Sequence, residues 1–167
     1  MTTLTPKTNL RPIPYLLAKA CPAPTVTPAP VSLAQVVLTA ARAVEECSLQ
    51  RVARTNAGVA FQPKTLLIIM TYCYACKVYG SAEIEDAMRR DPVFRKLCED
   101  EFPRPGVFRR FRRHNRNALQ TCLTRTLEQL ARQENQTRGD DTPNYLTEAV
   151  ERLNTATIID CIDDESD

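Results

Sequence analysis

The segment "PKTLLIIMTYCYACKVY", residues 63–79, decides the fold class. Its first residue is a proline, which suits the first turn of a helix because its φ angle is already fixed near the helical value. Apolar side chains surround almost the whole circumference of the helix that this segment would form, a pattern typical of a helix buried on every side. The apolar stretch is too short to cross a bilayer. We therefore predict that this helix is the buried centre of a soluble domain.

Helix signals also occur on both sides of this segment. Ser32 is a good N-cap for a helix over residues 32–54, which carries an apolar stripe. Ser81 is positioned to cap a short helix that follows Gly80, and the Asp-Pro pair at 91–92 starts another. We find no convincing strand, so we predict an all-α bundle of five or six helices.

A long helix from about Val107 to Gln136 is predicted next, and a last helix starts near Thr142. Two short helices, a turn and a long arginine-rich helix resemble a helix-turn-helix arrangement. The predicted organisation of the chain has four parts. They are a disordered Pro-rich arm (1–30), a helical domain (31–136), a linker with the C-terminal helix (137–158) and an acidic tail (159–167).

Charge is strongly segregated along the chain, although the formal net charge is only +2. Residues 104–138 hold nine arginines and two acids, whereas residues 139–167 hold nine acids and one arginine. This predicts a basic surface that binds an anionic partner and an acidic end that competes for that surface. If the acidic tail folds onto the arginines, deletion of residues 159–167 should tighten DNA binding.

The basic segment is centred on "PGVFRRFRRHNRNAL", residues 105–119. On a helical wheel, Phe108 and Phe111 face the core, and most of the arginines fall on the opposite side. Arg112 lies beside the apolar arc, so we predict that it packs or pairs internally. The candidate DNA-binding residues are Arg109, Arg110, Arg113, His114, Arg116 and Asn117.

Residues 61–130 resemble the N-terminal, InsH-like domain of insertion-sequence transposases, which precedes the DDE catalytic domain. Four segments carry the resemblance in order: "FQPKTLLIIMTYCYACKVYG" (61–80), "SAEIEDAMRRD" (81–91), "PVFRKLC" (92–98) and "FRRFRRHNRNAL" (108–119). The matching residues are Ser81, Glu83, Ile84, Glu85, Phe111, Arg112, Asn115 and Leu119.

The resemblance implies binding to double-stranded DNA, with a homodimer or a full-length transposase relative as a further partner. Two departures are Ala82, where that family usually has arginine, and "RPGVF" (104–108), where it usually has an acidic residue, histidine and then Ser or Thr. We expect no catalytic domain, since the 37 residues after residue 130 are too few for one. We therefore expect a DNA-binding protein that is not an enzyme and does not cut DNA.

Other residues with chemical potential favour simpler interpretations. Cys73 and Cys76, with Cys98 and His114, give only one paired cluster, whereas zinc sites usually have two, so we predict no metal and no cofactor. The odd number of cysteines, seven, indicates reduced thiols and a cytoplasmic location. His114 has no nucleophile and orienting carboxylate near it in sequence, so we do not predict a catalytic role for it. The acids from Asp160 onward lack the spacing of a calcium loop, so we do not predict calcium binding.

Two other functions stay open at this point. The first alternative is a helical interaction module, in which the 32–54 helix supports self-association and the arginines pair with acids. The second is a decayed transposase remnant. Neither alternative has a DNA role. Salt dependence separates the first of these from DNA binding, because each phosphate contact contributes to a steep salt slope.

Overall fold

The computed structural model describes residues 31–52, 61–98, 102–134 and 144–166, and these contain seven α-helices, one short 3-10 helix and no strand. The all-α prediction is confirmed, with seven helices rather than five or six. The predicted arm at residues 1–30 lies outside the described residues. The helices are α1 (Leu33–Arg42), α2 (Pro63–Ala75), α3 (Ser81–Arg90), α4 (Pro92–Cys98), α5 (Pro105–His114), α6 (Arg116–Glu134) and α7 (Tyr145–Ser166).

Helix α2 is the centre of the bundle, as its composition predicts. Leu66, Leu67, Ile69 and Met70 cover about half of its circumference and are completely buried, whereas Ile68 and Tyr72 on the other side are partly buried. Helices α1, α4, α5 and α6 pack around α2. Burial of the first four side chains removes apolar area from water, which stabilises the bundle.

Helix α1 starts where the sequence predicts and ends earlier. Ser32 caps it through a capping box, in which the backbone N–H of Gln35 donates to Ser32 Oγ at 3.4 Å. The helix ends at Arg42 rather than near residue 54. Leu49 and Val52 are nevertheless buried in the core. The predicted apolar stripe therefore continues in a non-helical segment, which periodicity alone does not distinguish from helix.

The junction between α2 and α3 differs from the prediction that Ser81 caps α3. Gly80 occupies the N-cap position, and its N–H donates to Glu83 Oε2 at 3.2 Å. A Cβ atom at Gly80 would lie 3.2 Å from Ile159 Cγ2, so the glycine allows close approach of α7. The Ser81 side chain is consequently free to bond to α7 instead of to α3.

The predicted long helix from Val107 to Gln136 consists of two helices that meet at Asn115. This residue has φ −117° and ψ 28°, outside the α-helical range, and its side chain is buried. Asn115 Oδ1 accepts from Gln50 N–H at 2.7 Å, and Asn115 Nδ2 donates to the Gln50 carbonyl at 3.0 Å. The break therefore ties the start of α6 to the chain segment after α1.

Helix α7 packs mainly against α6 through a face of small and medium side chains. Ala149, Leu153 and Ala156 on this face are completely buried. Residues 159–166, predicted as part of a separate acidic tail, lie in the last turns of α7. Among the four described stretches, no helix has the length and apolar character required to span a membrane.

Candidate nucleic-acid interface

Helix α5 carries the basic segment and is oriented by its apolar residues. Val107, Phe108 and Phe111 are buried in the core. Arg112 is also buried, with 4% of its surface exposed. This confirms the prediction that Arg112 packs internally while other basic side chains of α5 lie nearer the surface.

Arg112 is the centre of a buried polar network between α5 and α7. Its Nη1 donates to Asp160 Oδ2 at 2.6 Å and to the carbonyl of Ala156 at 2.9 Å. Its Nε donates to the Tyr74 hydroxyl at 2.7 Å. A buried guanidinium requires this degree of pairing, because an unpaired charge in the interior is strongly unfavourable.

Asp160 is held from two further positions at the start of α3. The Ser81 N–H donates to Asp160 Oδ1 at 2.8 Å, and the Ser81 hydroxyl donates to Oδ2 at 2.7 Å. Both carboxylate oxygens are therefore occupied. Asp160 was predicted as part of an acidic tail; it is 4% exposed, lies in α7 and is paired with Arg112.

The environment of Tyr74 is apolar apart from this network. Burial raises the pKa of its hydroxyl above the ordinary value of 10.0, and the nearby Arg112 charge opposes only part of that rise. Tyr74 therefore stays neutral over the physiological range and accepts the hydrogen bond from Arg112. The Arg112 guanidinium also lies over the Tyr74 ring, 5.7 Å from its centroid.

The six candidate DNA-binding residues gather around the α5–α6 junction with different exposures. Arg113, His114 and Asn117 are exposed, whereas Arg109, Arg110 and Arg116 are half-buried. Arg109 and Arg110, which the helical wheel places on the side of α5 opposite the core, are thus less exposed than Arg113. For Arg109 the physical reason is α7, because its Nε lies 3.9 Å from Asp160 Oδ1.

Two cavities flank the junction. The α1 cavity, of about 690 Å³, lies between the loop after α1 and the α5–α6 junction, and the α7 cavity, of about 240 Å³, lies between α5 and α7. Arg113 and Arg116 line both cavities. We refer to this pair as the arginine ridge. The α1 cavity is also lined by His114 and Asn117, so four of the six candidate residues meet there.

The N-terminus of α6 adds a partial positive charge at the α1 cavity. Asn115 has its carbonyl bonded to Leu119 N–H at 3.0 Å, but its side chain bonds to Gln50 and does not cap the helix. The backbone N–H groups of residues 116–118 have no hydrogen-bond acceptor within the described parts of the chain. Such groups at a helix start attract anions.

The cysteines do not form a metal-binding cluster in the described parts of the chain, where no three His, Cys, Asp or Glu side chains are arranged to hold an ion. Cys73 is buried and Cys76 is exposed. The Cys98 side chain lies outside the described residues. His114, at the end of α5, lines the α1 cavity.

Sequence reasoning missed Ser81, Tyr74 and Asp160 as partners of Arg112. They lie 31, 38 and 48 residues from it along the chain, and no local pattern links them. Sequence reasoning also did not consider Arg95 and Lys96, two exposed basic residues on α4. Their adjacent positive charges are visible in the sequence.

Residues 37–114 match the sequence model of a family described as Transposase domain (DUF772). The chain contains a transposase-related domain. The matched part of the transposase-related domain runs from α1 to the end of α5 and includes Arg112 and Arg113. Asp160 and Arg116 lie outside the match, although they complete the polar network and the arginine ridge. No curated protein and no solved structure gives a significant match to the chain.

Proposed function

We propose that the transposase-related domain binds double-stranded DNA at the α5–α6 junction. The observation that carries the proposal is the arginine ridge, where Arg113 and Arg116 stand between two cavities at the positive end of a 19-residue helix. Guanidinium groups form paired, charge-assisted hydrogen bonds to phosphate oxygens. Phosphate contacts of this kind supply much of the affinity of proteins for duplex DNA.

His114 and Asn117 provide groups that can also contact bases. Both are exposed and line the α1 cavity beside the arginine ridge. Asparagine can form two hydrogen bonds to an adenine edge in the major groove. In this proposal Arg109 and Arg110, which are half-buried, support phosphate contacts at the edge of the interface.

The order of helices supports a helix-turn-helix arrangement. Helices α3 and α4 are separated by the single residue Asp91, and α5 follows after a short connection. This order agrees with the resemblance to InsH-like transposase N-terminal domains. We propose that the domain recognises the ends of a mobile element, alone as a homodimer or with a full-length transposase relative, and that it does not cleave the strand itself.

The test of DNA binding is fluorescence anisotropy of a labelled duplex across a salt series. We expect the wild-type protein to bind with a steep log-log slope, close to −0.9 per phosphate contact. The double variant Arg113→Gln/Arg116→Gln should reduce the magnitude of that slope by about 1.8, the contribution of two phosphate contacts. A wild-type protein that does not bind at low salt would overturn the proposal.

The matched control is Arg132→Gln. Arg132 is exposed on the same helix and lies about 24 Å from Arg116 along its axis, given a rise of 1.5 Å per residue. It changes the net charge by one without touching the junction. An equal loss of affinity per charge in this control would mean that binding depends on overall charge and not on the arginine ridge.

The proposal that the protein does not cut DNA has its own test. Supercoiled plasmid incubated with the protein and Mg²⁺ or Mn²⁺ should stay intact. Nicking activity that co-purifies with the folded protein through size exclusion would contradict this part of the proposal.

The self-association alternative relied on the apolar face of the 32–54 helix. Val36, Val37 and Ala41 on this face are completely buried against neighbouring helices of the same chain. This apolar face is therefore not available to a second copy. The self-association alternative also assumed that arginines pair with acids inside the chain, and Arg112 forms such a pair with Asp160.

A further inference from the structure

We propose that the α7 cavity is a phosphate-binding subsite and that α7 forms one wall of the DNA interface. The inference rests on the proposed DNA-binding function and extends it to a helix that lies outside the family match. The chemistry expected in the cavity is a phosphate group, either of the DNA backbone or of free inorganic phosphate.

The first argument is charge. Four guanidinium groups and one carboxylate line the cavity, so its lining carries a formal net charge of +3. The Asp160 carboxylate is ion-paired with Arg112 at 2.6 Å and lies 3.9 Å from Arg109 Nε, so the charges of the arginine ridge remain in excess. Excess positive charge in a partly enclosed space binds phosphate more strongly than the same charge spread over an open surface.

The second argument is the position of Arg116. Its Nη2 donates to Asn154 Oδ1 on α7, which holds the guanidinium at the α7 side of the junction. A guanidinium has five N–H donors in a planar arrangement, so one bond to Asn154 leaves others for a phosphate. A side chain fixed before binding also loses less conformational entropy when a ligand arrives.

The third argument is access and size. Thr157 and Cys161, on the α7 wall, are exposed, as is Arg113 on the opposite wall. The volume of about 240 Å³ accommodates several water molecules of about 30 Å³ each, and therefore a hydrated phosphate group.

The arginine ridge borders both cavities, so a DNA strand can place neighbouring phosphates on its two sides. The sequence alone predicts that the C-terminal acids compete with DNA for the basic surface, and this proposal predicts the opposite. Because Asp160 anchors α7 beside the arginines, deletion of residues 159–167 should weaken DNA binding, whereas the acidic-tail hypothesis predicts tighter binding.

The test compares Thr157→Glu with Thr155→Glu. Both threonines are exposed on α7, and each donates a side-chain bond of 2.9 Å to the carbonyl four residues earlier. Only Thr157 lines the cavity. The two variants therefore make the same change of charge and of local bonding, and they differ in whether the new carboxylate faces the arginines.

We expect Thr157→Glu to weaken duplex binding roughly tenfold at low salt and to reduce the salt slope by about 0.9, the contribution of one phosphate. Thr155→Glu should stay within about twofold of wild type, because two helical steps of about 100° turn its side chain away from that of Thr157, and it does not line the cavity. Equal thermal unfolding midpoints for the two variants would show that the difference is not one of folding.

A second arm uses inorganic phosphate as the probe, monitored by the ¹H–¹⁵N NMR signals of Thr157 and Cys161. If the two variants bind DNA equally, the subsite is overturned while DNA binding stands. If the wild type binds no DNA but phosphate shifts these signals and Thr157→Glu abolishes the shift, the subsite stands for free phosphate and the proposed function fails. If neither ligand binds, both proposals are overturned.

Discussion

Asp160 on α7 accepts a 2.6 Å hydrogen bond from Arg112 on α5, and the two side chains are only 6% and 5% exposed. This pair joins the part of the chain that matches the transposase domain family to a helix outside that match. Because Ser81 binds the same carboxylate, three helices meet at one buried charge. The position of α7 beside the arginine ridge therefore depends on this pair.

Asp160→Asn should lower the free energy of unfolding by about 3–5 kcal/mol, because it leaves the Arg112 charge buried without its partner. Chemical denaturation measures the change. The control is Asp86→Asn, which removes an exposed ion pair with Arg90 at 3.2 Å and should cost less than about 1 kcal/mol. Similar losses in the two variants would show that the buried pair contributes no more than a surface pair.

Tyr74→Phe removes the hydroxyl that accepts from Arg112 Nε at 2.7 Å. At pH 7 the variant should be less stable by about 1.5–3 kcal/mol, because a charged donor loses its partner. Denaturation of the wild type and the variant in parallel at pH 7 measures this difference.

The same pair of proteins tests the raised pKa of Tyr74. Burial raises this pKa above 10.0 in the folded protein, so above pH 10 the unfolded chain loses a proton that the folded protein retains. Wild-type stability should therefore fall above pH 10 with a slope of up to about 1.4 kcal/mol per pH unit from this group, and the gap to Tyr74→Phe should narrow. A constant gap from pH 9 to pH 11 would contradict the raised pKa.

Asn115→Asp tests the break between α5 and α6. The carboxylate would face the carbonyls of Gln50 and Phe111, to which Asn115 Nδ2 now donates at 3.0 and 3.3 Å. We expect a loss of about 2 kcal/mol at pH 7, partly recovered at acidic pH, where a protonated carboxyl group can donate.

Asn117→Asp is the matched control for this substitution, because Asn117 is exposed two residues further along the chain. It should be neutral or slightly stabilising, since a negative charge in the first turn of α6 is favourable. Equal destabilisation by the two substitutions would mean that the Asn115–Gln50 bonds do not define the junction.

Arg152→Gln tests the end of α2. Arg152 Nη1 donates to the carbonyls of Tyr74 and Ala75 at 2.7 and 3.0 Å, and its side chain is 11% exposed. Loss of these bonds removes the donor to the Ala75 carbonyl, whereas the Tyr74 carbonyl keeps its bond from Lys77 N–H at 3.2 Å, and we expect a cost of about 1–3 kcal/mol. Urea titration measures the change in the free energy of unfolding. The control is Arg90→Gln, whose side chain is 81% exposed and which should cost less than about 1 kcal/mol.

The features that sequence predicted correctly are local ones. Ser32 and Pro63 mark helix starts, and α2 lies at the centre of the bundle, because caps and apolar composition act within a few turns. The expected burial of α2 on every side was wrong, since Ile68 and Tyr72 are only partly buried. Arg112 was also placed correctly, since the wheel relates it to Phe108 and Phe111 of the same helix. The end of α1 was wrong because Leu49 and Val52 reach the core from a non-helical segment.

By itself, then, the sequence determined the helical class, the central helix and the side of α5 that faces the core. Only the tertiary structure decided where α5 ends, which acid pairs with Arg112, and that the arginine ridge stands between two cavities. These features depend on bonds between residues 65, 48 and 79 positions apart, namely Asn115 with Gln50, Arg112 with Asp160 and Ser81 with Asp160. Such partners are selected by how the helices pack, because a buried polar group must find its hydrogen bond wherever the fold supplies one.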